Sequence, residues 1–533
     1  MNIAVAGFDG PLSRAVRVEL QLRGHSVVDA KSGWHMDAAI FLPGDLGELQ
    51  ALAARPDLPR LVVRSHAYAY GSNPKNPGHM DESRISLLPP GDPAQRWLRA
   101  EEAAAAHPNW AAIRLTNVTD PGEGDLIIRK LSASIATRPA GRDANLQFIG
   151  LADAARALVA AAESSAPGIF NAACPGAVPL KEAFKAAGTR GIGLPETGEL
   201  KQFAFNWHVS GDRAERELGF RPQQTTVEAL REFLAKKPGA NPGLLKDRYD
   251  DWGLGVDYIR AWGWWFAFLR NIYWRIEHEG MENIPATGKA LFVSNHRGFM
   301  PLDAVMHLSL IFTHRQRVPR FLIIHSLLRM PFLSNFLTKL GGVVASQENA
   351  DRLLDQGELI GIFPEGIRGT FSPLKTTYRL RNFSKSGFVR MAIEHQVPII
   401  PCAVIGHAEI FPIVGRIDSG FVVKELGWPY LPIAPPFPLA PVPLPSKWHV
   451  RILPPVPVDQ FGPSDLENDR LMKNFSDYIQ HIVQANLDDM LPRRKSIFRG
   501  REVLNGKPPA VEPFTPSRRS LHRAPADSDS PPA

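Results

Sequence analysis

The sequence predicts an α/β protein with two successive parallel-sheet domains. Two observations carry this. Short β-rich runs alternate with helical stretches from Met1 to about Lys237, and a second alternation of the same kind runs from about Gly288 to Gln484. A turn-rich break at Pro238-Gly239-Ala240-Asn241-Pro242-Gly243 lies between them. At 533 residues, with 44% hydrophobic and 22% charged residues, the chain has globular composition, which excludes wholesale disorder and fibrous repeats.

In the first half, Ile3 to Ala6, Ala38 to Leu42, Leu61 to Arg64 and Ala111 to Leu115 read as strands. Arg14 to Arg23, Pro93 to His107 and Leu151 to Glu163 read as helices. The interval from Asp29 to Ala38 is too short for the second helix and third strand of a full dinucleotide-binding fold. After the break, Tyr258, Ile259, Trp262, Trp265, Phe266, Leu269 and Tyr273 recur at helical spacing, with Trp264 on the opposite face. Such a stripe serves either as a core face or as an interfacial helix, since Trp and Tyr favour the headgroup zone. Eleven prolines between Pro429 and Pro457 predict loop and edge strands there. Beyond Pro492 the chain turns basic at Arg493, Arg494, Lys495, Arg499 and Arg501, and a disordered tail is expected over 493–533.

Lys plus Arg exceed Asp plus Glu by 7, which suits anionic lipid or phosphate esters without choosing among them. Cys174 and Cys402 cannot build a disulfide framework or a cysteine-rich metal site, so a reducing compartment is expected. The opening Met1-Asn2-Ile3-Ala4-Val5-Ala6-Gly7 has no basic region ahead of an apolar stretch, and a secretory leader is not expected. No uncharged apolar run approaches the roughly 18 residues of a membrane span. A lipid partner would therefore be met at the membrane surface. Zinc spacings, helix-turn-helix patterns and aromatic RNA-binding strands are not evident, which argues against nucleic acid.

Two motif sets carry chemistry. In the first, Gly7, Gly10 and Ser13 follow a strand and open a helix, the setting in which backbone N–H groups approach a pyrophosphate, and Asp29 ends the next strand where a carboxylate can meet a ribose. With Ser65 to Gly71, Arg114 to Val118, Gln147 to Arg156 and Gly168 to Ala172, this half resembles the extended short-chain dehydrogenase/reductase family of sugar-nucleotide epimerases and dehydratases. The resemblance implies a Rossmann-like doubly wound domain over 1–237 and allows NAD(P) as its ligand. That family's catalysis uses a Tyr with a Lys four residues on. Here Pro74 follows Tyr70 and Ser72 follows Tyr68 at that distance, and Trp97-Leu98-Arg99-Ala100-Glu101 stands where the pair would fall. A catalytically silent domain is expected.

In the second, the apolar strand Ala290 to Val293 leads into Ser294-Asn295-His296-Arg297, and Asp303 lies just inside the next helix, after Pro301. His296 and Asp303 can meet across that turn, and an imidazole held by a carboxylate can take a proton from an attacking alcohol. With Gly341 to Ser346, Gly361-Ile362-Phe363-Pro364-Glu365-Gly366-Ile367-Arg368 and Val397 to Val404, this half resembles the glycerolipid acyltransferases that include lysophosphatidate acyltransferases. The resemblance covers about Glu279 to Gln484 and implies an α/β acyltransferase domain over 279–492, joined to the first by a linker and aromatic helix over 238–278. It implies His296 as general base and Asp303 as its orienter. Asn295, Arg297, Phe363, Pro364, Glu365, Gly366 and Arg368 are implied at the substrate. Six residues separate His296 from Asp303, as in a branch resembling monoacylglycerol acyltransferase-like members, and Ser346 replaces an arginine many members carry.

The expected activity is transfer of a fatty acyl group from acyl-CoA or acyl-carrier protein to a hydroxyl of a glycerolipid or lysophospholipid. No metal or cofactor is required for it, and a cytoplasmic protein on the inner face of the cell membrane is expected. The alternatives are an NAD-dependent nucleotide-sugar epimerase or dehydratase with an accessory lipid-binding half, and a non-catalytic membrane scaffold.

Overall fold

The computed structural model describes the chain except residues 31–34, 247–248, 299, 382, 384–385, 438, 440–441, 501–502, 507, 510–512 and 515–533. It divides into two compact units, Met1–Tyr258 with Ile323–Ala345, and Ile259–Leu322 with Ser346–Ala533. These limits differ from the boundaries at 237/238 and 278/279 read from the sequence. Tertiary contacts, which composition does not record, group residues 323–345 with the first unit.

The first unit is built on strands β1 (Asn2–Ala6), β2 (Ser26–Val28), β3 (Ala38–Phe41), β4 (Leu61–His66), β5 (Trp110–Leu115) and β6 (Gly168–Ala172). They stand in the order β6-β5-β4-β3-β1-β2, and every pairing is parallel. Side chains alternate across a strand, so Ile3 and Val5 enter one apolar layer and Ala4 and Ala6 the other. Helices α1 (Pro11–Leu22) and α4 (Leu151–Glu163) fill the first layer, and α2 (Leu46–Ala53) and α3 (Gln95–Ala104) the second. A doubly wound α/β sheet results. Strand β2 is its edge, in keeping with the short interval before Ala38, and β3 lies on the far side of β1.

Residues 323–345 are tied into this unit by several polar contacts. Arg142 donates to the carbonyls of Leu328 at 2.7 Å and Arg329 at 2.8 Å. Gly141 accepts Phe332 N–H at 2.8 Å, and Lys339 meets the buried Asp143 carboxylate at 2.6 Å.

In the second unit the helix α5 (Val256–Phe268) leads to strands β7 (Glu277–Glu279) and β8 (Ala290–Ser294), helix α6 (Leu302–Arg315) and strand β9 (Arg320–Ile323). Then come β10 (Leu359–Ile362), the short helix α7 (Gly366–Thr370), β11 (Ile399–Ile405), β12 (His449–Ile452) and the long α8 (Asp469–Arg493). Six strands stand in the order β7-β12-β11-β8-β10-β9. β8 runs parallel to both β10 and β11, and is wholly buried. In the proline-rich stretch Leu431–Ile433 forms an edge strand of a two-stranded ladder, as expected, whereas β12 departs from that expectation as an inner strand, antiparallel to β11. Its four residues contain no proline and so can donate on both sides.

The aromatic helix divides its residues. Ile259, Phe266 and Leu269 are buried, Trp262, Trp265 and Phe268 half-buried, and Trp264 and Ile272 exposed at 70% and 64%. Of the basic residues expected in the tail, Lys495 and Arg499 are exposed, whereas Arg493 and Arg494 are held in ion pairs. Arg494 is buried and pairs with Glu409 at 2.5 Å, and Arg493 meets Asp489 at 2.6 Å. Most of the expected disordered tail lies outside the described residues. Among the described residues, no helix is long and apolar enough to cross a membrane.

Candidate active site

The C-terminal ends of neighbouring parallel strands converge, which makes them the usual place for a ligand site in such sheets. Here the loops after β8 and β10 meet because those strands pair, with Val293 opposite Ile362. Asn295 follows β8, and its side chain binds the adjoining strand at both ends: Nδ2 donates to Val404 O at 3.0 Å and Oδ1 accepts Val404 N–H at 2.8 Å. Thus Asn295, expected at the substrate, is buried against β11 and fixes where the loop leaves the sheet.

The next residue, His296, places Nδ1 2.6 Å from Oδ2 of Asp303. Its side chain keeps 15% exposure, against 1% for Asp303. The other carboxylate oxygen accepts Ala304 N–H at 2.8 Å in the first turn of α6, where the helix dipole also favours negative charge. Burial on its own would raise the Asp303 carboxyl, yet the facing His296, and more distantly His407 and His307, hold it below the ordinary carboxylate range. With an ionised acceptor at Nδ1, the ring carries its proton there and Nε2 is the basic nitrogen. Phe363 stacks on the imidazole, 4.2 Å between centroids, and fixes its plane.

Arg297 and Glu365 are drawn together as partners of each other. Nη1 of Arg297 lies 2.5 Å from Oε2 of Glu365, with both side chains at most 1% exposed. The same nitrogen donates to the His296 carbonyl at 2.6 Å, Nε donates to Thr377 O, and Nη2 reaches Arg379 O at 3.3 Å. Glu365 accepts Arg381 N–H on its other oxygen at 2.9 Å. Both were expected at the substrate. Their hydrogen-bonding capacity is instead engaged inside the protein, and they brace the His296 backbone against the 363–366 loop. Gly369 makes this possible: a Cβ there would stand 2.5 Å from Glu365 Cβ and 3.1 Å from Arg297 Nη1. Pro364 is half-buried in the same loop, and Gly366 opens α7 at φ +53°. Arg368 lies in α7, and its side chain falls outside the described residues. Ser346 caps the helix that follows it by accepting Asn349 N–H at 3.2 Å.

Two histidines went unremarked in the sequence. His307 packs its ring against Phe292 and lies 3.3 Å from Ser294 Oγ, and His407 lies 3.4 Å from Asn295 Nδ2. Burial pushes His307 down to about 4 and His407 to about 3, despite the nearby Asp303 carboxylate. Both are neutral in the native state and take protons more readily when unfolded. Stability is therefore complete above the ordinary imidazole range and falls as pH drops from about 6.5 toward 4, by about 1.4 kcal/mol per pH unit for each ring. Chemical denaturation across that interval should show such a slope, and His307→Phe should reduce it by one ring's share while His407 keeps the rest; a midpoint independent of pH would contradict the assignment.

In the first unit, Gly7 has φ +85°, and a Cβ there would come 2.1 Å from Leu42 O, so its lack of a side chain serves the approach of the β3 end. Gly10 precedes α1, Ser13 is buried within it, and Asp29 is exposed just beyond edge strand β2. The two phenols near the expected catalytic position are unsuited to take a proton. Burial and the facing Asp92, 3.4 Å from the Tyr68 hydroxyl, push that group up, and Tyr70 donates to Asn171 at 3.0 Å.

Residues 275–405 match the family model described as Acyltransferase. An uncharacterised protein of Mycobacterium leprae is 33% identical over 294 residues, which cover 52% of this chain and 78% of that protein. A Bos taurus protein named as a DGAT1/2-independent enzyme synthesizing storage lipids is 27% identical over 238 residues, 43% of this chain and 66% of its own length. Among solved structures, the UDP-N-acetylglucosamine 4-epimerase of Bacillus cereus is similar with a TM-score of 0.36 and 17% identity, over 45% of this chain and all of that one.

Proposed function

We propose that this chain, whose residues 275–405 match the Acyltransferase family model, moves a fatty acyl group from acyl-CoA or acyl-carrier protein to a hydroxyl of a glycerolipid or lysophospholipid, at the inner face of the cell membrane. The observation that carries the reading is the 2.6 Å contact of His296 with Asp303 at the end of β8, inside the family-matched region. Nε2 of His296 takes the proton of the acceptor hydroxyl as its oxygen attacks the thioester carbonyl. The tetrahedral intermediate then expels the sulfur, and the imidazolium returns the proton to the departing thiolate. One ester forms, one thioester breaks, and no metal or redox cofactor enters. The name of the bovine relative supports a lipid acceptor.

A phosphate on the acceptor has less support than the hydroxyl does, because Arg297 is engaged by Glu365 and Ser346 caps a helix. Product analysis by mass spectrometry, after incubating acyl-CoA with lysophosphatidate, other lysophospholipids, monoacylglycerol and glycerol 3-phosphate, tests the reading. An acylated lipid acceptor supports it, whereas free fatty acid alone with every acceptor and with acyl-carrier donors speaks against it.

Access to such acceptors requires contact with a bilayer surface, for which the exposed Trp264 and Ile272 are suited. Burying a large apolar side chain is worth roughly 1.5–3 kcal/mol. Trp264→Ser with Ile272→Ser should therefore weaken vesicle co-sedimentation by about tenfold or more while leaving the unfolding midpoint in place. Unchanged co-sedimentation would remove this helix from the membrane contact.

A further inference from the structure

A Rossmann-like sheet with a glycine turn before its first helix implies NAD(P), bound by its pyrophosphate at the N-terminus of α1. Such binding needs free N–H groups in the first helical turn and room for an anion. The first two positions of that turn offer no such group. Pro11 is the first residue of α1 and has no N–H. The N–H of the second residue, Leu12, is donated to Oε1 of Glu123 at 2.8 Å. Oε2 of the same carboxylate pairs with Nη1 of Arg64 at 2.5 Å, and both side chains are 2% exposed.

The turn that carries Glu123 is pressed onto the helix end. Residues Pro121–Glu123 form a single 3-10 turn, held by Asp120 accepting Gly122 N–H at 2.8 Å. A Cβ on Gly122 would lie 2.7 Å from Cγ of Pro11. Arg64 is placed in turn by the Trp97 ring, 5.6 Å from its guanidinium carbon. Trp97 belongs to the stretch that stands where the related family carries its catalytic Tyr and Lys. The replacement of the catalytic pair and the closing of the anion site thus share residues.

We infer that the first unit is a self-capped dinucleotide fold, in which the Glu123 carboxylate holds the place of a cofactor pyrophosphate and the unit takes up no NAD(P). A buried carboxylate that accepts a helix N–H and a guanidinium fills the electrostatic role of the phosphate. An incoming pyrophosphate would have to displace it, strand Arg64, and find one donor missing. The edge position of β2 reinforces this, because a strand beyond it is absent among the described residues.

The test uses the full-length chain and titrates NADH and NADPH to about 1 mM, reading nucleotide fluorescence and the thermal midpoint, with coenzyme A in excess to occupy any adenine-nucleotide site elsewhere. The wild type should show no binding. Glu123→Ala, and more so Glu123→Ala with Pro11→Ala, should gain affinity of at least tenfold over wild type. If the single variant fails to fold, Arg64→Met with Glu123→Ala removes both buried charges and should also gain binding. Saturable binding by the wild type overturns the inference. So does a folded set of variants in which opening the helix end confers no affinity.

Discussion

Asp303→Asn should leave the fold intact and lower acyl transfer by about 10²–10⁴-fold. The carboxylate at 2.6 Å from Nδ1 keeps the imidazole proton on that nitrogen and stabilises the imidazolium that forms as the hydroxyl is deprotonated. An amide of the same shape can offer its N–H to Nδ1 and turn the tautomer around, leaving Nε2 protonated and unable to accept. The loss should fall on kcat, since Asp303 is buried and touches His296 and backbone, not acceptor or donor. Steady-state kinetics on the acceptor that gives product checks this. A variant within a factor of a few of wild type would mean that His296 is not oriented by Asp303 during turnover.

The second large effect is on stability. Arg297→Met or Glu365→Gln removes one charge of a pair in which both side chains are at most 1% exposed. Leaving the other charge buried without its partner costs about 3–5 kcal/mol. Arg297→Met should cost more than its charge alone, because the guanidinium also holds the carbonyls of His296, Thr377 and Arg379. Replacing both with apolar residues should recover part of the loss, as the uncompensated charge disappears. Denaturant unfolding of the two single variants and the double variant measures this. Singles that unfold within about 0.5 kcal/mol of wild type would contradict the pair's bracing role.

This pair also shows where reading residues stops short of structure. Arg297 and Glu365 are conspicuous in sequence because each is a charge beside a catalytic motif, which suggests a substrate contact. A sequence does not say whether a charge faces a ligand or another charge. That follows only once β8 and β10 are known to be neighbours, so that the residues after Val293 and after Ile362 emerge side by side. The same pairing would have predicted the contact. The His296–Asp303 contact was legible earlier because it is local, seven positions apart across one turn with a proline to start the helix.

The strands and helices named in the first half were legible to within a few residues, α4 to the residue, since buried parallel strands read as unbroken apolar runs, whereas Leu46–Ala53 and the helices between Leu126 and Ala235 other than α4 were not read. That β2 is an edge strand among the described residues was legible as simple shortage of chain before Ala38. Glu123 was not: it lies 111 residues from the N–H it caps, and nothing local marks it. Nor was the membership of residues 323–345, which depends on Arg142, Gly141 and Asp143 meeting a segment almost two hundred positions away. Burial of Arg494 was hidden for a similar reason, its partner Glu409 sitting far back in the chain.

If His296 is the general base of an acyl transfer, turnover depends on its imidazole. Thiol release from a long-chain acyl-CoA, followed with and without lipid acceptor for wild type and His296→Ala, tests it most directly. Acceptor-dependent release by the wild type is expected, with a loss of about 10³-fold or more in the variant and unchanged unfolding behaviour. Acceptor-dependent release that survives in a folded His296→Ala protein would contradict it.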